Sequence, residues 1–256
     1  MDEGMRILVA SPLGKIVAPT LAQAFKSSTV AVAVDRESVR QLVTTKYRYD
    51  VVVADLIWNN PDLEFSFDGL DVVNLLQKSG RLAPVLLAAQ GHSMERDHLD
   101  EAGLHPEVAG IYQKTSGVEP LLTAIGTAVQ GDPAETTPAL AVSPKALHQY
   151  FIGQRGVTAA RLAGAIAAGR SSDGPSLSRA AHVGINTANK VARVYLGPII
   201  EDRGEAEPGL RMTSEAVYRW CGLHARYLVS WCRRHGHGDV LRPEQRGDTP
   251  YRSAPA

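Results

Sequence analysis

The sequence predicts an α/β chain: a doubly wound (βα)5 sheet domain followed by an all-α domain built around a helix-turn-helix. Three observations predict it. Short β-branched runs alternate five times with amphipathic stretches before residue 130, the pattern of a parallel sheet covered by helices on both faces. The strand signal then fades, and residues 158–235 carry mainly helical apolar spacing. Between the two lies residues 131–144, with three prolines, no aromatic residue and no strong periodicity, which reads as a linker.

Taken in order, the strands fall at residues 6–10, 30–34, 50–55, 84–89 and 108–112, each a short apolar run rich in Val, Ile, Leu or Ala. Apolar residues at helical spacing place the intervening helices near residues 18–27, 37–46, 70–78, 93–102 and 118–129. A doubly wound sheet of this kind carries its site at the carboxyl ends of its strands. Beyond the linker, residues 158–168 are Ala-rich with a helical stripe, 177–183 and 187–200 read as helices, and 214–235 reads as one long amphipathic helix. Residues 241–256, with three prolines and few apolar side chains, read as a disordered tail. The organisation expected is thus a sheet domain over 1–130, a linker over 131–144, a helical domain over 145–240 and a tail.

At 256 residues and 44% hydrophobic, the chain is long enough for two cores, since domains commonly run to roughly 100–150 residues. Its formal net charge of zero hides a division. Residues 1–139 hold 11 Lys/Arg against 18 Asp/Glu and residues 140–256 hold 16 against 9, a net −7 and +7. A basic half suits a polyanion partner, because cations placed near phosphates release condensed counterions, while an acidic half is repelled from the same surface. No apolar run approaches the ~20 residues that span a bilayer, and the N-terminus lacks a secretory apolar core, so a cytoplasmic location without membrane contact is expected. Cys221 and Cys232 are eleven residues apart; on one helix they would share a face without meeting, and no disulfide is expected.

Asp55 ends the third strand, where its carboxylate projects into the crevice at the top of the sheet. Lys114 follows the fifth strand, read as its neighbour in a 2-1-3-4-5 strand order, and brings an ammonium near that carboxylate. An acid facing a lysine across such a crevice suits a phosphoryl group; a surface ion pair without chemistry is the alternative. The surrounding residues resemble the receiver domain of two-component response regulators, which has a flavodoxin-like fold, over about residues 5–130. Asp55 is followed by Pro61 and by Phe67-Asp68-Gly69-Leu70-Asp71-Val72-Val73, Pro84 opens the fourth strand, and Gly110-Ile111-Tyr112-Gln113-Lys114 ends the fifth.

The resemblance implies that Asp55 is the phosphoacceptor position, yet three parts of the phosphorylation machinery are replaced. The two adjacent acids that would hold a metal are Ser11 and Pro12, the switch hydroxyl ending the fourth strand is Ala89, and the aromatic that moves with it is Ile111. Magnesium wants octahedral oxygen ligands, largely carboxylates and water, and phosphoryl transfer depends on such a cation. The expectation is a pseudo-receiver whose crevice, formed by Ser11, Asp55, Ala89 and Lys114, no longer runs the phosphorylation cycle and serves structure or another signal. The resemblance also implies a homodimer, paired through the fourth helix, fifth strand and fifth helix, about residues 93–130.

Residues 175–191 carry the local chemistry of a helix-turn-helix. Ser176 can cap a short helix, Ala180 is small where two helices approach, Gly184 permits a tight turn, and Asn186 can cap the next helix. A second helix starting near residue 186 would present Asn186, Thr187, Asn189, Lys190 and Arg193 to a major groove and turn Val191, Val194 and Tyr195 inward. The output resembles, loosely, the LuxR/NarL class. A helical hairpin without DNA contact is the bland reading. The helix over 214–235 is expected to pack on this unit, with Arg219, Arg226, Arg233 and Arg234 reaching phosphates from its exposed side, and residues 201–211 are a possible hairpin wing.

Other chemistry is not indicated. Cys232, His235 and His237 lack a fourth ligand at zinc spacing, and no nucleotide fingerprint or nucleophile–base–acid triad can be placed, so neither metal nor cofactor is expected and the chain does not read as an enzyme. The leading expectation is a DNA-binding transcription regulator of the response-regulator type, acting on double-stranded DNA, with a small-molecule ligand or a sensor kinase as candidate input. The alternatives are a signalling adaptor whose helical half binds a protein, and a conventional regulator phosphorylated on Asp55.

Overall fold

The computed structural model describes residues 4–45, 47–60, 65–131 and 145–242. The linker over 132–144, Pro61 and the tail beyond residue 242 lie outside the described residues.

Five strands, β1 (Arg6–Ala10), β2 (Thr29–Ala33), β3 (Val51–Asp55), β4 (Val85–Ala89) and β5 (Val108–Gln113), form one wholly parallel sheet in the order β2-β1-β3-β4-β5. The central strands β3 and β4 are buried along their whole length, which is why they read as unbroken apolar runs rather than alternating ones. Helices α1 (Gly14–Ala24) and α5 (Val118–Gln130) cover one face, where Ile7, Val9, Val53, Leu86, Leu121 and Ile125 meet. Helices α2 (Arg36–Val43), α3 (Gly69–Ser79) and α4 (Arg96–Ala102) lie on the opposite side, over Leu8, Val52, Leu87, Leu70 and Val73. Each fully buried aliphatic of this kind stabilises the fold by about 1.5–3 kcal/mol. Helix α1 begins four residues earlier than its pattern suggests, because Pro19 lies inside the helix and not at its first turn.

The segment after residue 145 is helical: α6 (Gly153–Ala167), α7 (Gly174–Ala180), α8 (Ile185–Ala188), α9 (Gly197–Asp202), α10 (Ser214–Leu223) and α11 (Ala225–Arg234). They enclose a separate core containing Leu162, Leu177, Leu196, Trp220, Leu228 and Trp231. Helix α6 lies tightly against α11 at Gly164, where a Cβ would come within 2.4 Å of Cys232 Sγ. Two sequence expectations fail here. The run 187–200 is not one helix: after α8 the chain passes through a π-helical turn, Val191–Tyr195, before α9, whose start carries Gly197-Pro198. The helix expected over 214–235 breaks at His224, which caps α11 and turns its imidazole toward α4.

Candidate functional site

At the head of the sheet, Ser11 follows β1 and Asp55 ends the adjacent β3. The Ser11 hydroxyl donates to Asp55 Oδ2 (2.8 Å) and accepts from the Leu13 amide (3.1 Å). Lys114 Nζ stands 2.8 Å from Asp55 Oδ1. Strand β5 is not the neighbour of β3, because β4 lies between them; the lysine reaches across at a level where β4 presents only Ala88 and Ala89. The structure therefore brings Ser11, Asp55 and Lys114 into contact, while Ala89 lies one residue beyond Ala88, the register partner of Asp55 on β4. Burial raises the Asp55 pKa, opposed first by the Lys114 charge and then by hydrogen bonds from Lys114 and Ser11. Both carboxylate oxygens are occupied by protein partners.

Sequence reasoning missed Glu95. Its buried carboxylate accepts from three successive backbone amides that follow β4, those of Gln90 (3.0 Å), Gly91 (2.8 Å) and His92 (3.1 Å). Converging amides of this kind form an anion-binding concavity, here filled by the chain's own carboxylate. Glu95 immediately precedes α4, so it ties the start of that helix to the head of β4.

The two described ends of the loop leaving Asp55 are tied together beside the crevice. Ile57 bridges to Asp68, the Gly69 amide donates to Leu56 O (3.1 Å), and a Cβ on Gly69 would stand 2.7 Å from Asp55 O. Trp58, fully buried, packs edge-on against Phe67 at 5.0 Å, and both rings belong to the core on the α2–α4 side of the sheet. Asp68 then caps α3, accepting from the Asp71 amide while Asp71 accepts from the amide of Asp68 (both 3.0 Å).

In the helical segment the expected motif takes shape with a shifted register. Asp173, not Ser176, caps α7; Ser176 sits three residues on and completes the reciprocal capping box. Asn186 does not cap α8, which starts at Ile185 after Gly184, and the left-handed turn residue is His182 (φ 53°), not Gly184 (φ −64°). Helix α8 is one turn long and packs on α7. Asn186, Asn189, Lys190 and Arg193 face solvent and Thr187 is half-buried, while Ala188 and Val191 turn into the core, with Val194 and Tyr195 half-buried behind them. Asn189 lies close to Gly174 at the start of α7, so it borders the cleft between α7 and α10.

Two arginines expected on phosphates are elsewhere. Arg233 and Arg234 point from α11 into the sheet half. Arg234 pairs with Glu101 on α4 at 2.5 Å, and Arg233 bonds both Asp68 (3.2 Å) and, more closely, Asp71. Ser230 donates to Asp68 beside them. A second cluster joins Arg203 and His224 to Asp97 of α4, at 2.8 and 2.7 Å. Arg203 also pairs with Glu205 at 2.9 Å, which accounts for the failure of residues 201–211 to form a hairpin wing: Glu205 turns inward to Arg203, His224 and Trp220. Arg219 remains at the surface, paired with Glu207 at 2.9 Å. Helix α4 thus has its outer face, Asp97, His98 and Glu101, buried against the helical segment, so the α4 part of the expected pairing face is covered within one chain.

No group of three or more potential metal ligands occurs among the described residues, and none of their helices is long and apolar enough to cross a membrane. No protein-family profile and no curated protein matches the sequence. Solved structures do show likeness. The receiver domain of the Francisella response regulator 1452 is 20% identical, aligned over 50% of this chain and 98% of its own, with a TM-score of 0.39. RcsB from Salmonella enterica serovar Typhimurium, bound to the promoter rprA, is 12% identical over 86% of this chain and 98% of its own, with a TM-score of 0.48. A response regulator from Burkholderia pseudomallei with a phosphorylated aspartic acid is 18% identical over 72% and 95%, with a TM-score of 0.39.

Proposed function

We propose that this chain is a DNA-binding transcription regulator of the response-regulator type, a non-enzymatic protein in which a receiver-like domain, residues 1–130, governs a helix-turn-helix output in residues 145–240. The observation that carries the reading is the solvent-facing set Asn186, Asn189, Lys190 and Arg193 on and after a short helix backed by α7, in the half of the chain with excess positive charge. Amide and guanidinium side chains in such a set suit base edges and phosphates of double-stranded DNA.

The crevice supports a phosphorylation-independent pseudo-receiver. Ser11 stands where an acid would hold a cation, and its neutral hydroxyl already serves Asp55, so the donor set suits Mg²⁺ poorly. Input by a small molecule or a protein partner fits this arrangement better than input by a kinase. Pairing with a second copy would use β5 and α5, which the helical segment leaves free of the ionic contacts made by α4.

Fluorescence anisotropy with fragments selected from genomic DNA tests the reading. Affinity is expected to fall steeply between about 50 and 200 mM salt, and Lys190→Ala with Arg193→Ala to flatten the salt dependence by about two phosphate contacts. Binding that ignores both salt and substitution would favour the adaptor reading, for which the specific observation is that Arg203, Arg233 and Arg234 are engaged inside the molecule.

A further inference from the structure

Beyond α8 the chain does not continue as an α-helix, and its sequence says why. In an α-helix the Val194 carbonyl would accept from the backbone N–H four residues on. That residue is Pro198, which has no N–H and whose ring crowds the same carbonyl. The chain widens instead: Val191–Tyr195 form a π turn, and the Leu196 amide donates to Val191 O, five residues back, at 2.8 Å. Gly197 permits this course, because a Cβ there would overlap Ala192 O. Among the described residues no backbone amide donates to Val194 O. Arg155, in the first turn of α6, supplies the missing donor: its Nη2 donates to Val194 O at 2.5 Å.

The other end of the motif is held from the same helix. Arg161 Nε donates to Ala181 O (3.1 Å) where α7 ends, and Arg161 Nη2 pairs with Asp239 at 2.6 Å. The next residue, His182, makes the left-handed turn toward α8. Helix α6 is itself fixed, with Leu162, Ala163 and Ile166 in the core and Gly164 close against Cys232 of α11. Between the two held carbonyls lie the solvent-facing Asn186, Asn189 and Lys190, and Arg193 stands inside the π turn. A helix of one turn closes too few hydrogen bonds to keep its own direction. Here the direction of α8, and the angle about its axis between Lys190 and Arg193, depend on what holds the chain at each end.

We propose that Arg155 is a positioning residue for the reading of DNA: it serves the backbone of the motif rather than the nucleic acid, and fixes how Asn189, Lys190 and Arg193 are presented. The consequence for DNA rests on the function proposed above; the hold on the π turn does not. Base edges are read only by side chains held to about 0.5 Å, whereas attraction to phosphates acts over about 10 Å in ordinary salt and tolerates displacement. Loss of the hold therefore removes discrimination between sequences before it removes affinity. Arg155 is itself exposed, so direct contact with a phosphate is the alternative that the test must separate.

The test compares the full chain with Arg155→Met and Arg155→Lys on two duplexes of equal length, one selected by the wild type from genomic DNA and one of random sequence. Arg155→Met is expected to lower the ratio of selected to random affinity about tenfold, the size of one lost base contact, and to leave the log–log salt slope on random duplex unchanged. Arg155→Lys, which keeps the charge and a donor, should recover most of the ratio. A salt slope reduced by about 1 with the ratio intact makes Arg155 a phosphate contact and overturns the proposal, and so does a ratio and slope that Arg155→Met leaves alone. A second arm needs no DNA. Pro198→Ala restores a backbone N–H opposite Val194 O, so Arg155→Met should speed amide exchange over residues 191–197 several-fold in the wild type and much less in the Pro198→Ala background. Equal acceleration in both backgrounds overturns the hold at Val194. If this arm behaves as expected while the wild type binds no DNA at any salt, the hold stands and the DNA reading falls.

Discussion

Arg234 and Glu101, 133 residues apart, pair at 2.5 Å with both side chains almost sealed from solvent. Each ion leaves water at a cost of several kcal/mol, which their attraction offsets only while both are present. Glu101→Ala alone is therefore expected to destabilise the chain by about 3 kcal/mol, because it leaves the buried Arg234 guanidinium with only the more distant Asp68, at 3.8 Å, to balance it. Glu101→Leu combined with Arg234→Met should recover most of that loss. Urea denaturation of the three proteins measures it; a double variant no more stable than the single one would show that the pair is not the unit of stability.

At Asp55 the opposing effects are burial and the Lys114 ammonium, and burial dominates: the carboxyl is raised above its usual range. A carboxyl raised in the folded chain is one whose ionisation weakens the fold, so stability tied to it is present at low pH and declines as pH rises through the folded value. Asp55→Asn, which keeps the shape and can still accept from Ser11, is expected to hold or raise the midpoint of thermal unfolding at neutral pH. Incubation with a small acyl phosphate and Mg²⁺ should give no phosphoryl mass gain in either protein. A gain in the wild type that is absent from the variant would establish the conventional phosphorylated regulator instead.

The sheet was legible because its signals are local. Five β-branched runs and a strand-ending Asp55 with a later Lys114 place the crevice without any knowledge of packing. What escaped was set by contacts across more than a hundred residues. Arg233 and Arg234 look like surface cations on an amphipathic helix, and only the position of α4 shows that their partners are Asp68, Asp71 and Glu101. The break at His224 has the same origin: nothing in the local spacing stops the helix, but the imidazole is drawn to Asp97 and Glu205. Glu95 carried a weak local sign, an acid three residues into a turn after His92, which is the spacing of a capping box. The register of α8 was missed because Gly184 and Asn186 are both acceptable caps, and local chemistry does not choose between them.

His224 gives the interface a pH dependence. Its Nδ1 lies 2.7 Å from Asp97 Oδ2 and its Nε2 3.4 Å from Glu205 Oε2, with Arg203 pairing the same two acids and Trp220 against the ring. Burial lowers its pKa, but hydrogen bonds and attraction to Asp97 and Glu205 outweigh that and raise it to about 9. Because the folded value lies above that of an ordinary imidazole, the contribution is complete below about pH 6.5 and is lost as pH rises through about 9. Between pH 7 and 10 the wild type should lose about 2 kcal/mol that His224→Gln does not lose. Parallel urea titrations at several pH values check this, and equal losses in both proteins would place the dependence elsewhere.

Cys221 and Cys232 stand on different helices, α10 and α11, and both are free and buried. Burial pushes the Cys232 thiol up to about 12 and the Cys221 thiol higher still. The thiolate is the reactive form, so neither sulfur has the ionisation or the access that oxidation or alkylation requires. Cys232 also packs where α6 and α11 approach at Gly164, so adding even a small group there would force the helices apart. Titration with an aromatic disulfide reagent is expected to detect no thiol in the native protein and two after unfolding. Rapid native reaction at Cys232 would mean that α11 leaves α6 readily, a larger opening than separation of the ionic interface alone would cause.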